Sequence, residues 1–374
     1  MRPPLRRKLP TWRGAVTRLD LLRSTGPRHA WRRLQRDRAL EALAASRRTQ
    51  VSRELWQDAA QELGATVTEP TPGRFEIRRG STVARVVGQT APLNTQAAKK
   101  VAADKPAVYS LLSEAGVAVP EHLAFDARDR QAAESFLARG PRPCVVKPAR
   151  GTGGSGVTGE IHTASELRRA ALAATRFAPR LLIERQIAGD VFRFLVLDGE
   201  VLDVVHRLPP TIVGDGTSTV EDLIFAEYER RIRADDNPGL KPFAVDLDCL
   251  FSLEHAGVAL GDVLPAGSRV RVRTATNYNS PGDNRTLRAS ISVDVLAEVV
   301  AAVAALGLRL AGVDVVTQTL AAALPTSGGA IIDVNETPAL HHHLHVANAD
   351  GATRVAVPIL RELLEPAGER QLGT

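Results

Sequence analysis

Aromatic residues make up only 4% of this 374-residue chain, and cysteine occurs twice. Cys144 and Cys249 form no metal-ligand or disulfide pattern, which excludes a zinc module or a disulfide-stapled scaffold and fits a reducing, cytoplasmic setting. Long apolar runs are missing as well. The longest, Val299 to Leu308, is ten residues with Gly307 counted, too short to span a bilayer. The basic N-terminal stretch holds no apolar segment of the secretory kind, and internal repeats are absent. What remains is an ordinary globular composition, 44% hydrophobic and 24% charged, in a chain long enough for two or three domains.

The net charge of +6 is unevenly placed. Residues 1–50 carry 14 Lys/Arg against 3 Asp/Glu, hence +11, which leaves −5 for the rest. Runs such as Arg6-Arg7-Lys8, Arg32-Arg33 and Arg47-Arg48 suit a solvated or partner-docking helical arm. Nucleic-acid contact and targeting are the other roles open to them.

The segment Cys144 to Val157 reads as a short buried strand running into a loop with Gly151, Gly153, Gly154 and Gly156. Glycine lets the backbone approach a ligand closely. Successive N–H groups in such a loop make an anion nest, and Lys147 beside it supplies positive charge, so the ensemble suits phosphate. The loop lacks a Walker GlyLysSer/Thr ending and the dinucleotide spacing, and a flexible turn is the bland alternative. Further on, Ala330 to Pro338 reads as a strand with Asp333 and Asn335 on one face. Oxygen donors so placed suit Mg²⁺, which keeps waters and phosphate oxygens as further ligands. Asp314 sits in the apolar run 311–316, where a carboxylate needs a metal or a cationic partner such as arginine.

The periodicity predicts helices over 53–64, 97–116, 130–138, 165–177, 220–234, 292–308 and 352–365. Strands are expected at 74–87 as a hairpin, 117–120, 180–187, 192–197, 201–205 and 269–273, and around Asp314 and Asp333. Asp198-Gly199 marks a tight hairpin turn. Hairpins mixed with crossovers argue α+β over a doubly wound parallel sheet.

Taken in order, Lys105, Lys147 with its loop, the strand Leu182 to Gly189, Arg207 to Pro210, Asp314, Asp333 and Asn335 resemble the ATP-grasp superfamily. Within it the chain is similar to the ATP-grasp region of cyanophycin synthetase and to glutathione-synthetase-type carboxylate–amine ligases. The likeness rests also on 103–120, 193–202, 210–224 and 273–277, and runs from about Leu93 to Leu364. It implies two α+β subdomains gripping ATP, with a basic arm at 1–50, a small N-terminal α/β domain at 51–95 and the ATP-grasp domain at 96–366, its lid at about 117–187. Lys105 and Lys147 would hold phosphates under a mobile loop of Gly151, Gly153, Gly154, Ser155 and Gly156. Glu184, Arg185, Gln186 and Ile187 would form the adenine-reading hinge, and Asp190 would face the ribose. Asp314, Asp333 and Asn335 would carry Mg²⁺, or Mn²⁺. Arg207 would face the γ-phosphate, and Arg273 and Asn277 the acyl acceptor and the tetrahedral intermediate.

The implied activity is ATP-dependent ligation of amino acids or short peptides, in a homo-oligomer. A kinase on the same grip, or a non-catalytic nucleotide-binding scaffold with an RNA- or partner-binding arm, are the alternatives. The chain departs from the pattern at Val191, where an acid is usual, at Asp333, where Glu is usual, and in the loop 277–284. No muramyl-ligase-like region follows, so cyanophycin-type polymerisation is not expected. His341 to His345 aligns with a family histidine at His343, suiting a substrate-side or structural loop, with a bound transition metal as the other option.

Overall fold

The computed structural model describes residues 15–365 apart from 152, 234–244, 277–283, 288–289 and 349–352; for 15–26 and 28–39 only the backbone is described. In chain order the elements are α1 (Ala15–Glu62), β1 (Thr66–Thr71), β2 (Arg74–Arg79), β3 (Thr82–Val87), α2 (Gln96–Ala102), α3 (Lys105–Glu114), β4 (His122–Asp126) and α4 (Gln131–Arg139). They continue with β5 (Cys144–Pro148), β6 (Thr158–Ile161), α5 (Ala164–Ala174), β7 (Arg180–Arg185), β8 (Asp190–Leu197), β9 (Glu200–Arg207) and β10 (Thr211–Val213). The remainder is α6 (Val220–Arg233), α7 (Leu247–His255), β11 (Arg269–Arg271), β12 (Asn284–Thr286), α8 (Val293–Ala305), β13 (Leu310–Thr317), α9 (Leu324–Ser327), β14 (Ala330–Asn335), α10 (His341–Leu344) and α11 (Ala356–Leu364).

The described strands form four sheets, ordered β1-β2-β3, β4-β7-β5-β6, β10-β11 and β12-β9-β8-β13-β14. Every pairing is antiparallel, so the fold is α+β, as expected. Strand alternation explains how the five-stranded sheet is used. One face gives Phe192, Phe194, Val196, Val313 and Val315 to a core under α3 and α8. The other face changes character along its length. Leu195, Leu197 and Leu310 sit at one end in an apolar cluster. Arg193, Arg207 and Asp314, on the same face, make an ionic layer at the other. The four-stranded sheet buries Val146, Ile161, Leu181 and Ile183 against α4, α5 and α7. Its opposite side, carrying Lys147 and Glu184, turns to the ionic layer.

Three local readings change. The helix expected at 97–116 is two helices, α2 and α3, broken at Ala103-Asp104. Pro106 fits only in a first turn, because it lacks an N–H and its ring crowds the turn before it. The break frees the Lys105 N–H to bond the Ala149 carbonyl at 3.0 Å. The described part of the arm, from Ala15, and the helix at 53–64 are one 48-residue helix, α1, with Pro27 inside it. The strand expected at 117–120 begins instead at His122. The Asp198-Gly199 turn stands as read: both residues have positive φ, 49° and 84°, the backbone of a tight antiparallel hairpin.

The sheet β1-β2-β3 does not close a core alone. Trp56 of α1, with Phe75 and Ile77 of β2, packs into one cluster with Leu195, Leu310, Leu340, Ile359 and Leu360. Trp56 is fully buried and its indole N–H donates to the Gly88 carbonyl at 2.7 Å. Trp56→Ala should therefore destabilise the whole protein by about 3–5 kcal/mol. Urea unfolding checks this; a loss under about 1 kcal/mol would show that α1 and its sheet do not belong to the cooperative core.

Candidate active site

A cleft opens between the four-stranded and five-stranded sheets. On the upper side β5 carries Lys147 in, and the chain then turns through Gly151, Gly153 and Gly154, which line the cleft with Ser155. All four glycines of the loop have positive φ, 151°, 64°, 70° and 75° in order, a path that residues with a Cβ rarely follow. Gly156 turns away from the cleft lining and lies against Phe177 and Pro148, where a Cβ would come within 2.5 Å and 3.0 Å.

Lys147 is almost fully buried, and its amine reaches Glu184 at 2.7 Å, the Tyr109 hydroxyl at 2.8 Å and the Ile332 carbonyl at 3.1 Å. Glu184 stands on the adjacent strand β7, which then runs out through Gln186 and Ile187 along the cleft. Gly189 closes this passage. Its φ is 138°, and a Cβ there would stand 2.3 Å from the Thr317 backbone. Asp190 begins β8 at the cleft edge, 3.6 Å from His206.

The floor is built by β8, β9, β13 and β14. Asp314 and Asp333 face each other directly across β13 and β14. Like charges so placed repel and need cations. Arg193 grips Asp314 with two bonds of 2.6 Å and 2.5 Å, and Arg207 lies 3.4 Å away. Lys105 bonds Asp333 at 2.7 Å. Burial raises the Asp333 carboxyl, but Lys105, Lys147 and Arg193 outweigh it and hold the group below the usual range. Burial and the neighbouring Arg193 bring Arg207 down to about 10, so it keeps its charge at neutral pH. Asp333 is thus ionised beneath the glycine loop.

The cleft gathers Lys105, Lys147, Glu184, Gln186, Ile187, Asp190, Arg207, Asp314 and Asp333. Arg185 contributes backbone only. Alternation turns its side chain outward, where the guanidinium lies 3.9 Å from the Phe136 ring and donates to the Phe136 and Pro141 carbonyls. Asn335 shares Asp333's face and bonds the Gly312 carbonyl at 3.4 Å. Asn277 lies outside the described residues. Arg273 is not among the lining side chains: it is fully buried and held by Asp246 at 2.9 Å and Asp248 at 3.5 Å. Arg271, two residues earlier, lines the cleft and pairs with Glu160 of β6.

Two side chains escape the sequence reading. Tyr109 of α3 lies 2.9 Å from Glu184, and burial, with Glu184 beside it, pushes its phenol well up, so it stays protonated. Asp248, in the first turn of α7, accepts from the Gly159, Thr274 and Ala275 backbone N–H groups at 2.9, 3.1 and 3.1 Å. It ties β6 to the segment after β11. The Asp246 cap preceding α7 is the sequence signal for it.

The three histidines of α10 diverge. His341 bonds Gln89, His342 meets Asn284 at 3.0 Å, and His343 meets Asp203 at 2.6 Å. Burial lowers all three, His341 to about 3, so they add no charge at neutral pH. Among the described residues no three His, Cys, Asp or Glu side chains converge as metal ligands. The histidines tie α10 to β9, β12 and the chain before α2. The hard oxygen donors of Asp314, Asp333 and Asn335 do fit an oxygen-loving divalent cation, with two carboxylates and one amide on a single sheet face.

Residues 111–228 match the family model "D-ala D-ala ligase C-terminus". The chain is 30% identical over 273 residues to cyanophycin synthetase from Trichormus variabilis, covering 71% of this chain and 29% of that protein. It is 26% identical over 247 residues to the glutathione biosynthesis bifunctional protein GshAB of Mannheimia succiniciproducens, covering 64% and 32%. Its fold superposes on a bifunctional glutathione synthetase from Pasteurella multocida with a TM-score of 0.53 at 20% identity, over 83% of this chain and 43% of that one. The chain carries an ATP-grasp domain. It spans less than a third of the length of the cyanophycin synthetases it matches. Among the described residues no helix is long and apolar enough to cross a membrane.

The floor has a pH signature. Asp333 titrates below its unfolded value near 3.8, so its pairing contributes stability above that pH and loses it as pH falls through the lower folded value. Urea midpoints at pH 5 and pH 3 should fall further apart in the wild type than in Asp333→Asn. Equal differences would mean that Lys105 does not hold Asp333 ionised.

Proposed function

We propose that this cleft binds ATP with Mg²⁺ and joins the carboxylate of an amino acid or short peptide to an amine. The observation that carries the reading is a convergence. A four-glycine loop, two nearly buried lysines and an opposed pair of aspartates meet in one cleft between two antiparallel sheets. The names of the related proteins point the same way, to glutathione and cyanophycin synthesis. The division into a basic arm at 1–50, a small N-terminal unit at 51–95 and an ATP-grasp unit at 96–366, with a lid at about 117–187, belongs to the same proposal. So does a cytoplasmic setting, supported by the unpaired use of both cysteines.

In this reading the loop N–H groups and Lys147 receive phosphate oxygens, and Lys105 reaches them from the other wall. Glu184 and the backbone to Ile187 form the edge against which adenine rests. Asp314, Asp333 and Asn335 would hold Mg²⁺, which when bound neutralises phosphate charge. The shorter Asp333, in place of the family's Glu, makes Mn²⁺ the second candidate. The acid's carboxylate oxygen attacks the γ-phosphorus and ADP leaves, giving an acyl-phosphate. A neutral amine then attacks the acyl carbon, phosphate leaves, and the amine's proton passes to solvent. Arg207, charged and buried at the cleft end, stabilises the anionic oxygens in both steps. The glycine loop keeps water from the acyl-phosphate. Positioning and charge supply the catalysis.

Purified protein with ATP, Mg²⁺ and pooled amino acids should release phosphate only when both an acid and an amine are present, with an amide product visible by mass spectrometry. Lys147→Ala should lower kcat/KM by about 10²–10³-fold, the cost of one lost charge-stabilising donor. ADP release independent of amine would replace the ligase with a kinase. Unaltered kinetics in Lys147→Ala would remove Lys147 from the phosphate site.

A further inference from the structure

The three N–H groups of the Lys147 ammonium are all taken in this structure. They meet three acceptors: Glu184 at 2.7 Å, the Tyr109 hydroxyl at 2.8 Å and the Ile332 carbonyl at 3.1 Å. A phosphate oxygen therefore has to displace one of the three. Glu184 is the acceptor that phosphate replaces anion for anion, so that the lysine charge stays paired. The exchange leaves Glu184 behind. It is 4% exposed, and a buried carboxylate that loses its cation is costly unless another donor holds it.

Tyr109 is placed to be that donor. It lies four residues after Lys105 on α3, so the two share a helix face. Its ring is 1% exposed in the core that α3 shares with the five-stranded sheet, with the His122 ring 4.7 Å from it between centroids. Lys147, Glu184 and Ile332 line the cleft and Tyr109 does not, so it reaches the site only through the partners of its hydroxyl. That hydroxyl has one proton and two acceptors in reach, Glu184 at 2.9 Å and the Ile332 carbonyl at 2.8 Å. Burial, with Glu184 beside it, keeps the proton on the phenol. Tyr109 can thus accept from Lys147 and donate to Glu184 at the same time. Among the described residues, Lys147 and Tyr109 are the side chains that bond the Glu184 carboxylate.

We propose that Tyr109 is a positioning residue for phosphate binding: as nucleotide phosphate replaces Glu184 on Lys147, the Tyr109 hydroxyl keeps Glu184 hydrogen-bonded. The exchange rests on the reading that Lys147 receives phosphate. In the exchanged state Lys147 donates to phosphate, the phenol oxygen and the Ile332 carbonyl, and Tyr109 donates to Glu184, so every buried polar group keeps a partner.

The test is calorimetric titration of the full chain with ATP and Mg²⁺, without acid or amine. Tyr109→Phe keeps the ring and removes the hydroxyl. Glu184 and Ile332 still have Lys147 as donor, so the variant should retain its fold. It should weaken ATP binding by about ten- to hundredfold, the cost of a missing hydrogen bond to a buried charged group. Glu184→Gln is the control for structure, because a neutral amide is not a stranded charge. In that background Tyr109→Phe should weaken ATP by less than about threefold, since the two residues act as a coupled pair. Lys147→Ala is a second background, with no exchange left to make, and there too the added loss should stay under about threefold. It carries the comparison if Glu184→Gln does not melt cooperatively. A hydroxyl needed only for packing would cost the same factor in every background, and that result overturns the proposal. So does an ATP affinity unaltered in Tyr109→Phe. Wild-type protein that binds no ATP removes the phosphate reading and the exchange with it. Wild-type binding with an indifferent Tyr109→Phe removes the exchange alone.

Discussion

The opposed aspartates of β13 and β14 are the constraint around which the cleft is organised. Asp314 and Asp333 face each other on one side of a sheet whose other side is packed core. Two carboxylates there are tolerated only with cations close by. The chain supplies them from three elements: Arg193 on β8, Arg207 at the end of β9 and Lys105 at the start of α3. Each of those positions has its own local cause. The α2–α3 break at Pro106 places Lys105, and the tight Asp198-Gly199 turn sets the β8–β9 register that puts Arg207 opposite Val191, on the same face as Arg193. Lys147 and Glu184 form a second neutral pair just above. Charge in the cleft is therefore balanced within the protein and available to a phosphate chain and its cation.

A single face of the five-stranded sheet serves two purposes. Its ionic end is the cleft floor, and its apolar end binds α1, α11 and the small three-stranded sheet through Leu195, Leu197 and Leu310. The histidines of α10 sit at the boundary, with His343 fully buried against Asp203 on β9. They are neutral there, so they join the two ends without adding charge next to Arg193 and Arg207. The segment carrying α6, α7, β10 and β11 has a hydrophobic core of its own, built on Ile212, Ile224, Leu250 and Val272. Asp248 fastens it to β6 by accepting from the Gly159 N–H, and Arg273 lies against Asp248 in turn.

Much of the cleft was legible in the sequence because its signals are short-range. The four glycines of the loop, the Asp333-x-Asn335 alternation and the Asp-Gly turn each need only a few residues to be recognised. The antiparallel α+β architecture followed from hairpin spacing. Features set by distant packing were less visible. Strands β10 and β12 have three residues each, too few for a period. Alternation would have turned Arg185 away from the cleft once Glu184 was placed in it, and it would have separated Arg271 from the buried Arg273 had the end of β11 been known. The helix α7 was missed although Asp246 caps it, since its buried surface is shared by two cores, around Phe251 on one side and Leu250 on the other. The basic stretch 1–50 is expected as a helical arm, and its described part is helical; the continuity of that helix with the one at 53–64, as the single α1, is hidden because charge masks the periodicity.

The central claim is that the cleft activates a carboxylate as its phosphate anhydride. Hydroxylamine tests it most directly, by capturing an acyl-phosphate before any natural amine is required. With ATP, Mg²⁺, hydroxylamine and a carboxylate substrate found by phosphate release, the wild-type protein should form the corresponding hydroxamate in step with ADP. ADP formed with a phosphorylated hydroxyl product and no hydroxamate would contradict the account.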